Sequence, residues 1–114
     1  MDIKNIKSFE FAVRIVNLFK HLIEVKKEFI MSKQLMRSGT SVGANIREAK
    51  FAESTNDFLH KLRISRKEAN ETMYWLELLK ATNYISEAEF VSISTDCNEL
   101  IAILTKIIKS TIQK

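Results

Sequence analysis

The sequence predicts an all-α protein, an antiparallel up-down-up-down four-helix bundle, and three observations predict it. Proline is absent and glycine occurs only twice in 114 residues, of which 46% are apolar; that balance suits packed helices over disorder or many-turned β structure. Apolar side chains recur at three- and four-residue spacing through four segments, the period of a helix with one buried face. The breaks between the segments are short, so sequential helices must lie side by side and reverse direction. A chain of this length holds one core, and residues 1–114 are read as a single domain with helices at approximately 6–25, 31–52, 55–81 and 87–112.

The first helix carries one apolar row at Phe9, Val13, Val16 and Ile23 and a second at Phe11, Ile15, Leu18 and Leu22. Together the rows cover more of the circumference than a single core needs, which predicts self-association. The second helix contains "RSGTSVGANIREA", with both glycines, Gly39 and Gly43. Leu35, Val42, Ile46 and Ala49 form its apolar face, Gly39 borders that face, and the period runs through both glycines unbroken. A phosphate-cradling loop would need a preceding strand and a Gly-Lys-Ser/Thr run, and neither exists. Each glycine costs a helix on the order of 1 kcal/mol against alanine. Close approach of another helix over this stripe of small residues offsets that loss through dispersion contacts.

In "AESTNDF", Ser54 or Thr55 caps the third helix and Asp57 suits its first turn. That helix presents Phe58, Leu62, Ala69, Met73 and Leu76 on one face. Beside them runs a mixed row of Ile64, Glu68, Glu71, Trp75 and Leu78. "TNYIS" reads as a turn, and Ser86 with Glu89 has capping-box spacing. Phe90, Ile93, Cys97, Leu100, Leu104 and Ile108 then repeat at helical spacing.

Charge divides the chain. Residues 1–32 carry a net +2, residues 33–67 +5, residues 68–105 −6 and residues 106–114 +3. Such polarity serves either an anionic partner or attraction between helices and subunits. The lone cysteine, Cys97, sits among apolar neighbours and reads as a packing residue in a reducing compartment. Neither a signal peptide nor a run long enough to span a membrane is present, so a cytoplasmic protein without a membrane partner is expected. His21 and His60 lie in different helices without metal-ligand spacing, and the pair Glu68 and Glu71 lacks the Glu-x-x-His motifs of a di-iron bundle. No nucleophile elbow or dinucleotide fingerprint occurs. The expectation is a non-enzyme with no metal and no cofactor.

On the second helix, Arg37, Ser41, Ala44, Glu48 and Phe51 lie opposite Leu35 and Val42, and this face is expected to form a packed polar interface. Arg37 and Glu48 are too far apart to pair, so each is expected to meet an opposite charge elsewhere, with Glu68 or Glu71 the candidates for Arg37. The run "LMRSGTSVGANIREAKFAES", followed by "DFLHKLRISRKEANETMYWLELL", resembles the four-helix-bundle proteins encoded in intervening sequences of bacterial 23S rRNA genes. It also resembles their relatives, the accessory proteins of diversity-generating retroelements. The likeness covers roughly residues 8–110, and its most specific part is Arg37, Ser41, Asn45, Ile46 and Glu48. Many relatives read Asn-Ile-Ala-Glu-Gly; with Arg47 and Ala49 here, no break is expected after the motif.

The resemblance implies an up-and-down bundle assembling as a ring-like homopentamer, for which Arg37, Gly39, Ser41, Gly43, Asn45, Glu48 and Glu71 are the structural and oligomer candidates. In the retroelement branch it implies a basic surface for nucleic acid and a reverse transcriptase as partner. The residues themselves offer such a surface. His60, Arg63 and Lys67 repeat at three and four along the third helix, with Arg66, Asn70 and Tyr74 close by, and Arg47, Lys50 and Lys33 are available from the second. Two readings follow. One is an oligomer that binds RNA or DNA through backbone phosphates; the other is an adaptor for a protein partner, with the charges serving subunit contacts.

Overall fold

A computed structural model describes residues 6–113. Four helices follow one another: α1 (Ser8–Glu24), α2 (Met31–Ala49), α3 (Thr55–Ala81) and α4 (Glu87–Ile112). Their directions follow from who meets whom. Ser38, Val42 and Glu48 of α2 meet, in turn, Thr72, Ser65 and Lys61 of α3. Partner numbers fall as residue numbers rise, so the two helices are antiparallel. Gly39 and Gly43 of α2 face Ile15 and Ser8 of α1 in the same descending sense. Likewise Arg66, Ala69 and Lys80 of α3 face Thr105, Cys97 and Glu87 of α4. The result is an up-down-up-down bundle 47 × 21 × 19 Å in extent.

The α1–α2 seam settles what the glycines do. Neither has positive φ, so neither is required by backbone conformation. A Cβ built on Gly39 would lie 2.8 Å from two side-chain carbons of Ile15, and one on Gly43 would lie 3.2 Å from the Ser8 carbonyl oxygen. Both distances are shorter than ordinary carbon contacts, so the absent side chains are what let α1 lie this close. Gly39 is itself buried rather than bordering the core. Of the two apolar rows of α1, this seam selects the second: Phe11, Ile15 and Leu22 are buried, whereas Phe9 and Val13 are 64% and 43% exposed.

The core of α3 differs from the expected row. Phe58 and Met73 are only partly buried, while Leu59, Ser65, Thr72 and Leu79 join Leu62, Ala69 and Leu76 inside. Ser65 and Thr72 occupy core positions because their hydroxyls have partners. Ser65 donates to the Val42 carbonyl at 2.7 Å, and Thr72 Oγ1 lies 2.8 Å from the Glu68 carbonyl oxygen and 2.9 Å from Ser38 Oγ. A buried hydroxyl is tolerated when it is bonded, and no buried side-chain N or O among the described residues lacks a partner.

The helix ends are set by specific caps. Ser54 accepts from the Asp57 N–H, and Ser86 with Glu89 closes a reciprocal capping box. α1 begins at Ser8 rather than residue 6, because Lys7 has a non-helical backbone and no side chain caps the start. α2 ends at Ala49 and not at residue 52, so the unbroken helix expected after the Asn45–Glu48 motif does not occur. Phe51 N–H and Ala52 N–H bond three residues back, to Glu48 and Ala49, tightening the last turn before Ser54 starts α3.

α1 meets α4 far less than it meets α2, and a clasp holds that seam. Arg14 reaches Asp96 at 2.6 Å and Ser92 Oγ at 2.8 Å. The α1–α2 turn is fixed by buried Glu28, whose carboxylate accepts from the backbone N–H groups of Ile30, Met31 and Ser32, the last at 2.7 Å. Burial alone would raise the pKa of Glu28, but these backbone donors outweigh it and hold the group below its ordinary value of 4.5. The stabilisation is therefore complete above the unfolded-state pKa and is lost as pH falls through the lowered folded-state value. Replacing Glu28 by alanine is expected to cost about 0.5–2 kcal/mol, the value of a helix cap. It should also flatten part of the acid limb of a plot of thermal midpoint against pH; an acid limb identical to the parent's would remove Glu28 from the account.

Candidate nucleic-acid interface

α3 is 27 residues long and buries the stripe from Leu62 to Leu79, so the opposite stripe must face solvent. His60, Arg63, Lys67, Asn70 and Tyr74 occupy it, at successive steps of three and four, and all five are exposed. His60, Arg63 and Lys67 thus form one row of basic side chains. None of the ion pairs among the described residues involves Arg63 or Lys67.

The other candidate cations do not join that row. Arg66 turns toward α4, half-buried, with Nη1 3.4 Å from Thr105 Oγ1. Arg47 and Lys50 are exposed on the α1 flank of α2, lining a hollow of about 540 Å³ with Phe9, Ala12, Glu10 and Glu48. The strip between them and the α3 row is occupied by the α2–α3 seam. Whether Arg47 and Lys50 add to the α3 row depends on how the helices pack, and α2 presents them to α1 rather than to α3, so they form a second surface. Lys33 is exposed at the start of α2.

The α2–α3 seam is an ion-pair ladder. Arg37 bridges two carboxylates, donating from Nη1 to Glu68 at 3.1 Å and from Nη2 to Glu71. Glu71 Oε2 also accepts from the indole N–H of Trp75 at 3.1 Å. That indole bond, together with the Arg37 guanidinium, holds the Glu71 carboxyl below its usual range, and the bond that Arg37 donates to Glu71 raises Arg37 in turn. Lower down, Lys61 meets Glu48 at 3.2 Å. Along α2, Ser41 donates to the Arg37 carbonyl and Asn45 to the Ser41 carbonyl, at 2.7 and 2.9 Å. The expected packed polar interface is thus present only in part. Arg37 and Glu48 reach α3, but Ala44 and Phe51 face solvent, Phe51 being 80% exposed.

The mixed row Ile64, Glu68, Glu71, Trp75 and Leu78 is half-buried throughout, the sign of a helix flank against a neighbour. It has a further effect that the sequence pattern does not reveal. Trp75, anchored by Glu71, packs against Tyr74 with ring centroids 5.0 Å apart and planes at 73°. Tyr74 itself remains 56% exposed.

Cys97 is fully buried, its Sγ 3.3 Å from the Ala69 carbonyl oxygen, and burial pushes its thiol up to about 12. A thiol held in that form is a poor nucleophile at neutral pH. No group of three or more His, Cys, Asp or Glu side chains among the described residues could hold a metal ion. No helix among them is long and apolar enough to cross a membrane.

A family model described as 23S rRNA-intervening sequence protein matches residues 5–106. A crystal structure of a protein with unknown function from the S23 ribosomal protein family of Bacteroides thetaiotaomicron VPI-5482 is 60% identical. The match covers 90% of this chain and 92% of that one, with a TM-score of 0.90. No curated protein matches.

Proposed function

Because the chain belongs to the 23S rRNA-intervening sequence protein family, we propose that it is a non-enzymatic, homo-oligomeric helical protein that binds nucleic acid through the backbone phosphates. The observation that carries this reading is the exposed row on α3, in which Arg63 and Lys67 form no ion pair among the described residues. A cation paired within its own fold has little left to offer a phosphate; Arg63 makes no such pair, and Lys67 acts on Glu71 only from beyond contact distance, so both remain available to a partner. One copy supplies only a short row. Repeated around a symmetric oligomer, the row becomes a ring, and simultaneous contacts multiply a weak site into a firm one. The exposed apolar side chains of α1, Phe9 and Val13, support self-association, and the family resemblance points to a pentamer.

The reading is tested by fluorescence anisotropy of a labelled oligonucleotide across a salt series. Affinity should fall steeply between about 50 and 200 mM salt, with a logarithmic slope of roughly −0.9 per duplex phosphate neutralised and about −0.7 for a single strand. Binding that ignores salt, or no binding at low ionic strength, favours the second reading. In that case the protein is an adaptor for a protein partner such as a reverse transcriptase, and the apolar row of α1 with the divided charge serves assembly.

A further inference from the structure

We infer that the outer face of α3 is a single-strand site, in which Arg63 and Lys67 hold phosphates while the exposed ring of Tyr74 takes the face of an unstacked base. The inference rests on the phosphate-binding reading above and names the class of nucleic acid that the same face accepts. Tyr74 continues the row of His60, Arg63, Lys67 and Asn70 on one stripe of the helix. At a rise of about 1.5 Å per residue, the ring lies roughly 10 Å along the axis from Lys67, within the span of a few nucleotides.

What distinguishes Tyr74 from a chance surface aromatic is its support. The ring is braced at 5.0 Å by Trp75, which is bonded through its indole N–H to Glu71, which is bonded to Arg37 of the neighbouring helix. An aromatic side chain held this way loses little freedom on binding, and it is 56% exposed. Flexible cations alone read any polyanion. A fixed aromatic beside them favours strands whose base faces are free, since a duplex keeps those faces inside its own stack.

The test compares the parent with Tyr74→Ala and Tyr74→Trp, using a fluorescent single-stranded RNA, the same sequence as single-stranded DNA, the matched duplex, and inorganic polyphosphate as a baseless anion. Tyr74→Ala should weaken binding to one or both single strands by roughly five- to a hundred-fold, the loss of one stacked base. It should leave duplex and polyphosphate binding unchanged, and Tyr74→Trp should retain single-strand affinity. Emission from Trp75, the one tryptophan of the chain, should change when single strands bind to the parent and not when polyphosphate does. The RNA and DNA arms tell which sugar the site prefers. Equal weakening of every probe by Tyr74→Ala, or no weakening of any, overturns the stacking site while leaving phosphate binding standing. Failure of the parent to bind any probe overturns the phosphate reading itself.

Discussion

Gly39→Leu is expected to destabilise the bundle by at least the roughly 1–3 kcal/mol typical of an overpacked core, visible as a lower urea midpoint. The reason lies in Ile15. A first added carbon already sits 2.8 Å from two Ile15 carbons and 3.0 Å from a third, and Ile15 is completely buried. A β-branched side chain in a helix has one strongly preferred χ1, so it cannot swing away. Even Gly39→Ala is subject to two opposed effects, a gain of about 1 kcal/mol in helix propensity and the cost of this clash. With the two γ carbons of Ile15 held in the way at 2.8 Å, the clash wins. Natural stabilities are only about 5–15 kcal/mol, so the leucine variant removes a large share of the total. If close approach is the cause, Ile15→Ala should rescue the leucine variant by more than independent sites allow, a coupling read from a double-mutant cycle. A leucine variant as stable as the parent would mean that α1 does not press on α2 at Gly39.

The second large effect is on binding. Arg63→Glu combined with Lys67→Glu changes the charge of each copy by four units on one helical stripe and should abolish oligonucleotide binding at moderate salt. Each lost phosphate contact also removes about one unit of the salt slope. Both positions are exposed and unpaired by salt bridges among the described residues, so the fold and the sedimentation behaviour should be unchanged, surface substitutions usually staying within about 0.5 kcal/mol. Lys106→Glu with Lys109→Glu is the control, because both lysines are exposed on α4 and the net change is the same. It should weaken binding only modestly. Equal losses from both pairs would assign binding to overall charge rather than to the α3 row. Sedimentation of the parent as a monodisperse monomer at micromolar concentration would contradict the proposed assembly.

How far the sequence carried depended on what periodicity can express. The four helices, the caps at Ser54 and Ser86 and the cross-helix pairing of Arg37 were legible because each depends on spacing along one helix or on a forced charge complement. Which apolar row of α1 faces inward was not, since Phe9 and Val13 are as apolar as Phe11 and Ile15. Only the contact with Gly39 decides between them. The core hydroxyls of Ser38, Ser65 and Thr72 were invisible to a reading based on apolarity, because their burial depends on carbonyl and hydroxyl partners on another helix. Glu28 was missed for a related reason: its role as a cap comes from a turn conformation, with Lys27 at φ 56°, and not from a residue pattern. The basic row on α3 was readable from its period, but grouping it with Arg47 and Lys50 required knowing which flank of α2 faces α1, and that is a property of packing.

The central claim, that the outer face of α3 meets the phosphates, is tested most directly by acetylating the folded protein with and without bound oligonucleotide and measuring each lysine by mass spectrometry. Lys67 should be strongly protected when nucleic acid is bound, while Lys20, Lys106 and Lys109, exposed on other helices, react as before. Unchanged reactivity at Lys67, or protection at Lys67 no greater than at Lys109, would contradict the account.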